Sequence, residues 1–491
     1  MLQIMVVALS ALRWHEEVDI GIAGAGGCGL AAAHAAADGK LKIAVWEKSD
    51  APGGNTALSC GMIAAAGTAQ QRAAGVFDVG EDFARDILKR NGGHSDAGLT
   101  RRLCEASASL LEWLGDRCGI PFELVPVVYD PGHSRLRLHA PVARSGRALV
   151  QALLRSLDRR GISLHPSTPV LQLWTDAAGA IVGVQVKRPR KTPSNVRCHK
   201  LILATGGFGA SSAALAQHCP GTEGLRYTGH AGSSGEALVW GADVGAATRD
   251  LDAYNAHASI AVGSNLLIPW IVITAGALLV NQRGERFADE TCGPAAMVPR
   301  VLAQPGQVGY EIFDGRISKA VAAADARFAN EVLPRVVRRG DDIESLARQF
   351  QIDPPALAQT VAAYNAAVAA GNDLFGRTAS GEPLGAPFYG IRVATALLET
   401  QGGLVIDPSA RVLRADGAII PNLYAGGGAA VGLSAPGGNG YLLGNGLLCA
   451  LGWGKIAGEQ AAHEILTARA ASDQVPPTPS TPGEGSPGAL T

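Results

Sequence analysis

The chain has 491 residues, more than one compact core ordinarily holds, so two domains or one domain with a large insertion are expected. Hydrophobic residues make up 47% and charged residues 17%, with a mean hydropathy of +0.14, which excludes a globally disordered chain. Forty-two Lys and Arg against 43 Asp and Glu leave a formal net charge of -1, a balance that argues against nucleic acid or an anionic membrane as the main partner.

Met1 to Trp14 is apolar but has no basic residue ahead of its apolar run. It reads as an extension before the first strand, with a secretory signal as the alternative. Val18 to Ala23 is a short apolar run of the buried parallel-strand kind, interrupted by Asp19. Gly24-Ala25-Gly26-Gly27-Cys28-Gly29 follows at once and satisfies G-x-G-x-x-G. Leu30 to Ala37 then forms a helix, and Lys42 to Trp46 a second strand that ends at Glu47. This strand–turn–helix–strand context is what a dinucleotide fingerprint requires. The glycines let backbone N–H groups approach a pyrophosphate, and Glu47 can take the ribose hydroxyls. The alternative is an ordinary turn between a strand and a helix.

Glycine numbers 63 residues without a collagen-like period, which points to tight turns and close approach of backbone to a ligand. The small-residue loop Asp50 to Met62 follows the acidic residue directly and suggests backbone wrapped around a cofactor larger than NAD, such as FAD. Two later strand-to-glycine turns support this: Leu201 to Phe208 (LILATGGF) and Leu423 to Gly428 (LYAGGG), with a helix from about Asn445. The eight cysteines have no C-x-x-C spacing, so zinc ribbons and simple iron–sulfur runs are unsupported, no metal is expected, and reduced thiols in a cytoplasm fit best. No membrane span is read. Ser472 to Thr491 is rich in Pro, Gly, Ser and Thr and reads as a disordered tail.

Taken together, GAGGCG with Glu47, GGNTALSCG, LATGGFG, VNQRGERFADE, TQGGL and LYAGGG resemble the fumarate reductase/succinate dehydrogenase flavoprotein superfamily, which includes 3-ketosteroid dehydrogenases. The resemblance spans roughly residues 17 to 465. It implies an α/β fold: a Rossmann-like FAD-binding domain, residues 17–250 and 385–470, interrupted by an α+β capping domain at 251–384, with a tail at 471–491. Helix-like, Ala-rich patterns from Ser318 to Ala370 suit the cap. The resemblance puts FAD against Gly24, Ala25, Gly26, Gly29, Glu47 and Lys48. The following loop adds Gly54, Asn55, Thr56, Ser59, Gly61 and Met62. Val170, Ala204, Thr205, Gly206, Gly427 and Asn445 complete the set. Asn55 stands where members with covalent flavin carry histidine, which implies non-covalent FAD.

The departures from the fumarate pattern bear on substrate. Glu399 stands where fumarate reductases place a substrate-clamping histidine, and Tyr441 where they place a carboxylate-gripping arginine. No arginine follows Glu290 until Arg300. A bidentate arginine–carboxylate pair is geometrically specific and neither Tyr nor Glu replaces it, so a dicarboxylate is a poor substrate expectation.

By resemblance, the reaction moves a hydride between flavin and a carbon beside an activating carbonyl, and a proton at the neighbouring carbon. Tyr441 is the candidate for polarising the carbonyl or handling the proton, with a packing role as the alternative. His257 is a catalytic or a structural histidine, Tyr254 a lesser pocket candidate, and Glu399 a proton acceptor or a structural one. The loop Tyr129 to His139 packs His133, Arg135, Arg137 and His139 together. An arginine of that loop could hold a carboxylate, or the whole loop could be solvated surface. Arg286 is expected to pair with Asp289 or Glu290, and Cys28 to be inert packing.

The leading expectation is desaturation of a cyclic ketone or keto acid, as in ketosteroid dehydrogenases. The alternatives are fumarate reductase-like reduction of an unsaturated acid and a non-catalytic flavoprotein. The partners are a small-molecule substrate and an electron donor or acceptor whose identity, among oxygen, a quinone or a separate carrier, is open.

Overall fold

In a computed structural model, residues 12–37, 41–126, 132–160, 162–377 and 382–473 are described. The apolar runs become the centre of an eight-stranded sheet. Its path runs Arg411–Leu413, Ile419–Ala425, Ser194–Leu203, Glu16–Ala23, Ile43–Trp46, Ser163–His165, and Val170–Thr175 and Ile181–Val186 extend it from Ser194–Leu203. The four central strands are parallel, with Ile22 opposite both Val45 and Ile202, and Tyr424 opposite Ile202. A parallel sheet covered on both faces has no solvated side, which is why these strands read as continuous hydrophobic runs. Asp19 is tolerated inside its run because one oxygen accepts the Lys42 N–H at 2.8 Å and the other pairs with Arg469.

The helix Gly27–Ala36 crosses the last helix, Asn445–Asp473, at very close range. A Cβ on Gly454 would lie 2.3 Å from the Cys28 carbonyl oxygen, and one on Gly458 2.2 Å from that of Ala32. Only glycine permits that approach, so the final helix is fixed against the first glycine turn. The final helix continues through residues 471–473, which the sequence assigns to the tail. The remainder of the tail and Tyr129, Asp130 and Pro131 of the His/Arg loop lie outside the described residues.

A second, six-stranded and mainly antiparallel sheet is built on Phe388–Thr400, which pairs with Arg226–Tyr227, Tyr254–Ala261, Val308–Asp314 and Arg338–Gly340; Leu278–Val280 joins at Val308–Asp314. Helices Gly315–Ala324, Ile343–Phe350 and Pro354–Ala370 fall in the stretch expected to be helical. Phe388–Thr400 lies within the range expected for the FAD-binding portion, yet is hydrogen-bonded into this second sheet and carries Glu399 at its end. Among the described residues no helix is long and apolar enough to cross a membrane, and no His/Cys/Asp/Glu group could hold a metal ion.

Candidate active site

Three glycine turns meet at the carboxyl ends of the parallel strands, the usual ligand position in such sheets. Gly24 N–H donates to the Trp46 carbonyl at 2.7 Å, Ala204 N–H to that of Ala23 at 2.8 Å, and Gly426 N–H to that of Leu203 at 3.1 Å. Gly24 has φ +104°, and a Cβ there would meet the Ala204 carbonyl oxygen at 2.3 Å. The turns open into a cavity of about 680 Å³.

Glu47 borders this cavity, its oxygens accepting the N–H groups of Ala25 and Ser49, both at 2.8 Å. The carboxylate thereby locks the first turn and keeps lone pairs for a diol. The Gly27 N–H donates to Thr56 Oγ1 at 3.1 Å, tying the Gly54–Leu58 helix to the first turn. First-turn amides of a helix have no intrahelical acceptors, and Thr205 Oγ1 on the cavity wall is buried without a partner. A row of backbone donors, a fixed carboxylate and an orphaned hydroxyl fit the pyrophosphate, ribose and ribityl parts of FAD.

Gly24, Gly26, Glu47, Lys48, Gly54, Asn55, Thr56, Ser59, Met62, Val170, Ala204, Thr205, Gly206 and Gly427 all border the cavity. Ala25, Gly29, Gly61 and Asn445 do not. They shape it from behind: a Cβ on Gly29 would sit 1.9 Å from the Gly24 carbonyl oxygen, and Asn445 is buried with Nδ2 on the Leu433 carbonyl at 3.4 Å. Asn55 Oδ1 accepts the His230 N–H at 2.5 Å.

The far end of the same cavity gathers Tyr441, Glu399, His257 and Asn255. In the sheet Asn255 faces Glu399 directly, and Asn255 Nδ2 lies 3.4 Å from Glu399 Oε1. Burial pushes the Glu399 carboxyl above the usual carboxylate range. Tyr441 Oη accepts the Gly446 N–H at 3.2 Å, in the first turn of the final helix. Burial and the nearby Glu399 push its phenol well up. His257 stands edge-on to Trp270, and its Nδ1 accepts the Ser259 N–H at 3.1 Å. Burial pushes this imidazole down to about 4, so it is neutral with its proton on Nε2.

The structure corrects several expectations. Tyr254 does not border the cavity, whereas Asn255, Ala256 and His257, which follow it, do. None of the four loop residues reaches the cavity either. Arg137 is fully buried, held by Asp78 at 2.7 and 2.8 Å and by Asp86, over the Phe83 ring. Arg135 is exposed, donating to the Ser134 carbonyl. His139 Nδ1 donates to the Arg137 carbonyl at 2.8 Å, leaving Nε2 to accept from Thr68 at 2.9 Å. His133 lies behind the wall, its Nε2 on the Leu443 carbonyl at 2.8 Å. Arg286 does pair with Glu290, at 2.8 Å, and also with Asp373 at 2.6 Å. Cys28 is buried and borders the cavity, and burial pushes its thiol up to about 12.

Sequence reasoning missed Arg90, Asn255 and Arg327 on the wall. Arg90 Nε donates to the Tyr441 carbonyl at 3.2 Å. Arg327 contacts Cys60 Sγ at 3.1 Å and lies 3.7 Å from Glu331. It stands in an Ala-rich stretch with no motif around it, so no local signal marks it.

The chain matches the family described as FAD binding domain over residues 19–446 and belongs to it. It is 32% identical over 452 residues to a fumarate reductase (cytochrome) of Shewanella frigidimarina, covering 91% of this chain and 77% of that protein. A flavocytochrome c3 fumarate reductase in an open conformation superposes with a TM-score of 0.81 at 29% identity, covering 94% of this chain and 80% of that one. The 3-ketosteroid-Δ4-(5α)-dehydrogenase of Rhodococcus jostii RHA1 gives 0.72 at 26% identity, covering 93% and 99%. The chain is therefore an enzyme of the fumarate reductase/succinate dehydrogenase flavoprotein superfamily, an FAD-dependent oxidoreductase.

Proposed function

We propose that the enzyme reduces a carbon–carbon double bond conjugated to a carboxylate or other carbonyl, with unsaturated acids other than a compact dicarboxylate as substrates. The observation that carries this reading is one cavity that joins the glycine turns to Tyr441, Glu399, His257 and Arg327. Ring-ketone desaturation gives way to reduction because the fumarate reductase superposes more closely, with a TM-score of 0.81 at 29% identity against 0.72 at 26% for the ketosteroid enzyme. The lost arginine and histidine clamp argues against fumarate itself. In this reading residues 17–250 and 385–470 bind FAD, 251–384 cap the site, and FAD is held without a covalent bond.

The glycine turns, Glu47 and Thr205 would hold FAD, which in its reduced form would supply the hydride for one carbon of the double bond. His257, neutral and protonated on Nε2, donates a hydrogen bond to the substrate's carbonyl oxygen and is not the acid. Arg327 pairs with the carboxylate. Tyr441 gives its proton to the neighbouring carbon. The Gly446 N–H and the positive end of the final helix then stabilise the phenolate that forms.

The test is anaerobic. Purified enzyme is reduced chemically and mixed with crotonate, cinnamate, fumarate and a cyclic enone. Fast return of the yellow colour with an unsaturated monocarboxylate, and slow return with fumarate, is the expected result. If no unsaturated acid restores colour while a saturated cyclic ketone bleaches the oxidised enzyme, the ketosteroid-like reading replaces this one.

A further inference from the structure

Charges on the cavity wall come with partners, except one. Lys48 pairs with Glu236, Arg327 lies near Glu331, and both oxygens of Glu47 accept backbone N–H groups. Glu399 receives one long hydrogen bond from Asn255 Nδ2, at 3.4 Å, and among the described residues no Lys, Arg or His forms an ion pair with its carboxylate. A carboxylate withdrawn from water without a cation is strongly disfavoured, and it binds a proton or a ligand cation instead.

Glu399, Tyr441, Asn255 and Gly446 all border the cavity, and Glu399 and Tyr441 pack closely on Gly446, where a Cβ would lie 2.7 Å from Glu399 Oε1 and 3.1 Å from Tyr441 Oη. The carboxylate therefore stands on the wall of the space a ligand fills, with Asn255 opposite it in the sheet. A compact group with several N–H donors and a positive charge satisfies such a set, as an ammonium does.

We propose that Glu399 is a specificity-determining residue that receives a nitrogen cation on the substrate, which narrows the substrate class to unsaturated acids bearing a cationic substituent. This rests on the reductase reading given above. The cation also offsets the negative charge that opposes proton loss from Tyr441, so recognition and proton delivery are coupled at one place.

A binding experiment separates this inference from that reading, because it needs no turnover. Oxidised holoenzyme is titrated with 4-aminobutanoate and with its near-isostere pentanoate, following the flavin absorbance. The expected result is at least tenfold tighter binding of 4-aminobutanoate, abolished in Glu399→Gln with FAD content unchanged. Equal or weaker binding of 4-aminobutanoate by the unaltered enzyme overturns the inference without any variant. So does a preference that survives in Glu399→Gln, including the case where that variant shifts only the flavin spectrum because Glu399 faces the cofactor. Failure of the reductase reading is a different result: no unsaturated acid, cationic or neutral, reoxidises the reduced flavin.

Discussion

In the proposed mechanism Tyr441 and Arg327 divide the chemistry between them, and each makes a distinct kinetic prediction. Removing the Tyr441 hydroxyl in Tyr441→Phe leaves the ring's packing and takes away the proton. The rate of flavin reoxidation by an unsaturated acid should then fall about 10²- to 10⁴-fold, the usual worth of a general acid, with FAD retained. Stopped-flow measurement at saturating substrate checks this, and an active variant removes Tyr441 from the mechanism. Arg327→Ala should instead raise KM about 10- to 100-fold, the range for a lost hydrogen bond to a charged group, with a smaller effect on kcat. Tyr441 and Glu399 could be placed because each stands at a countable distance from a glycine motif, whereas His257 was marked only by the family resemblance. Asn255 was hidden by its neighbour: Tyr254 is the more chemically suggestive residue, but Asn255 is the one that borders the cavity. Arg137 misled in the opposite way. An arginine in a lightly charged chain reads as a ligand clamp until Asp78 and Asp86, some fifty to sixty positions away, are seen to neutralise it.

At the scale of elements, the glycines do two separable jobs. A Cβ on Gly24 collides with backbone at 2.3 Å, whereas one on Gly26 finds only the Gly53 carbonyl oxygen, at 3.7 Å. Gly26→Val should therefore give a folded protein with unchanged circular dichroism and almost no flavin absorbance, because the new side chain enters space reserved for the cofactor. Gly24→Val should lose both. The loop that follows yields a related prediction. With Asn55 in place of a histidine, acid precipitation should leave all FAD in the supernatant, and flavin fluorescence on the denatured protein band would contradict non-covalent attachment. The first strand, turn and helix were legible because hydrophobic run, glycine spacing and acid fall within some thirty residues. The second sheet was not, because Phe388–Thr400 pairs with strands from about fifty to 170 residues earlier and its register depends on contacts no local pattern encodes.

For the whole molecule, one buried group ties global stability to pH. Glu311 lies in the second sheet, 1% exposed, with Oε1 accepting from Ser259 Oγ and Oε2 without any partner. Burial pushes its carboxyl up to about 7. An acid whose folded pKa lies above its unfolded value holds its proton more tightly in the folded state, so the folded chain binds more protons than the unfolded one between about pH 4.5 and 7. Stability from this group is complete below the unfolded pKa, falls as pH rises through that window, and is lost above it. The full difference is on the order of 3 kcal/mol. Glu311→Gln keeps an oxygen for Ser259 and cannot ionise. It should match the unaltered enzyme at pH 4.5 and exceed its melting temperature by a few degrees at pH 8, with the gap opening between the two. Paired thermal melts of the holoenzymes across that range measure it. A gap that is constant with pH would mean that Glu311 is ionised in the folded protein, and the sheet would then have to contain a partner for it.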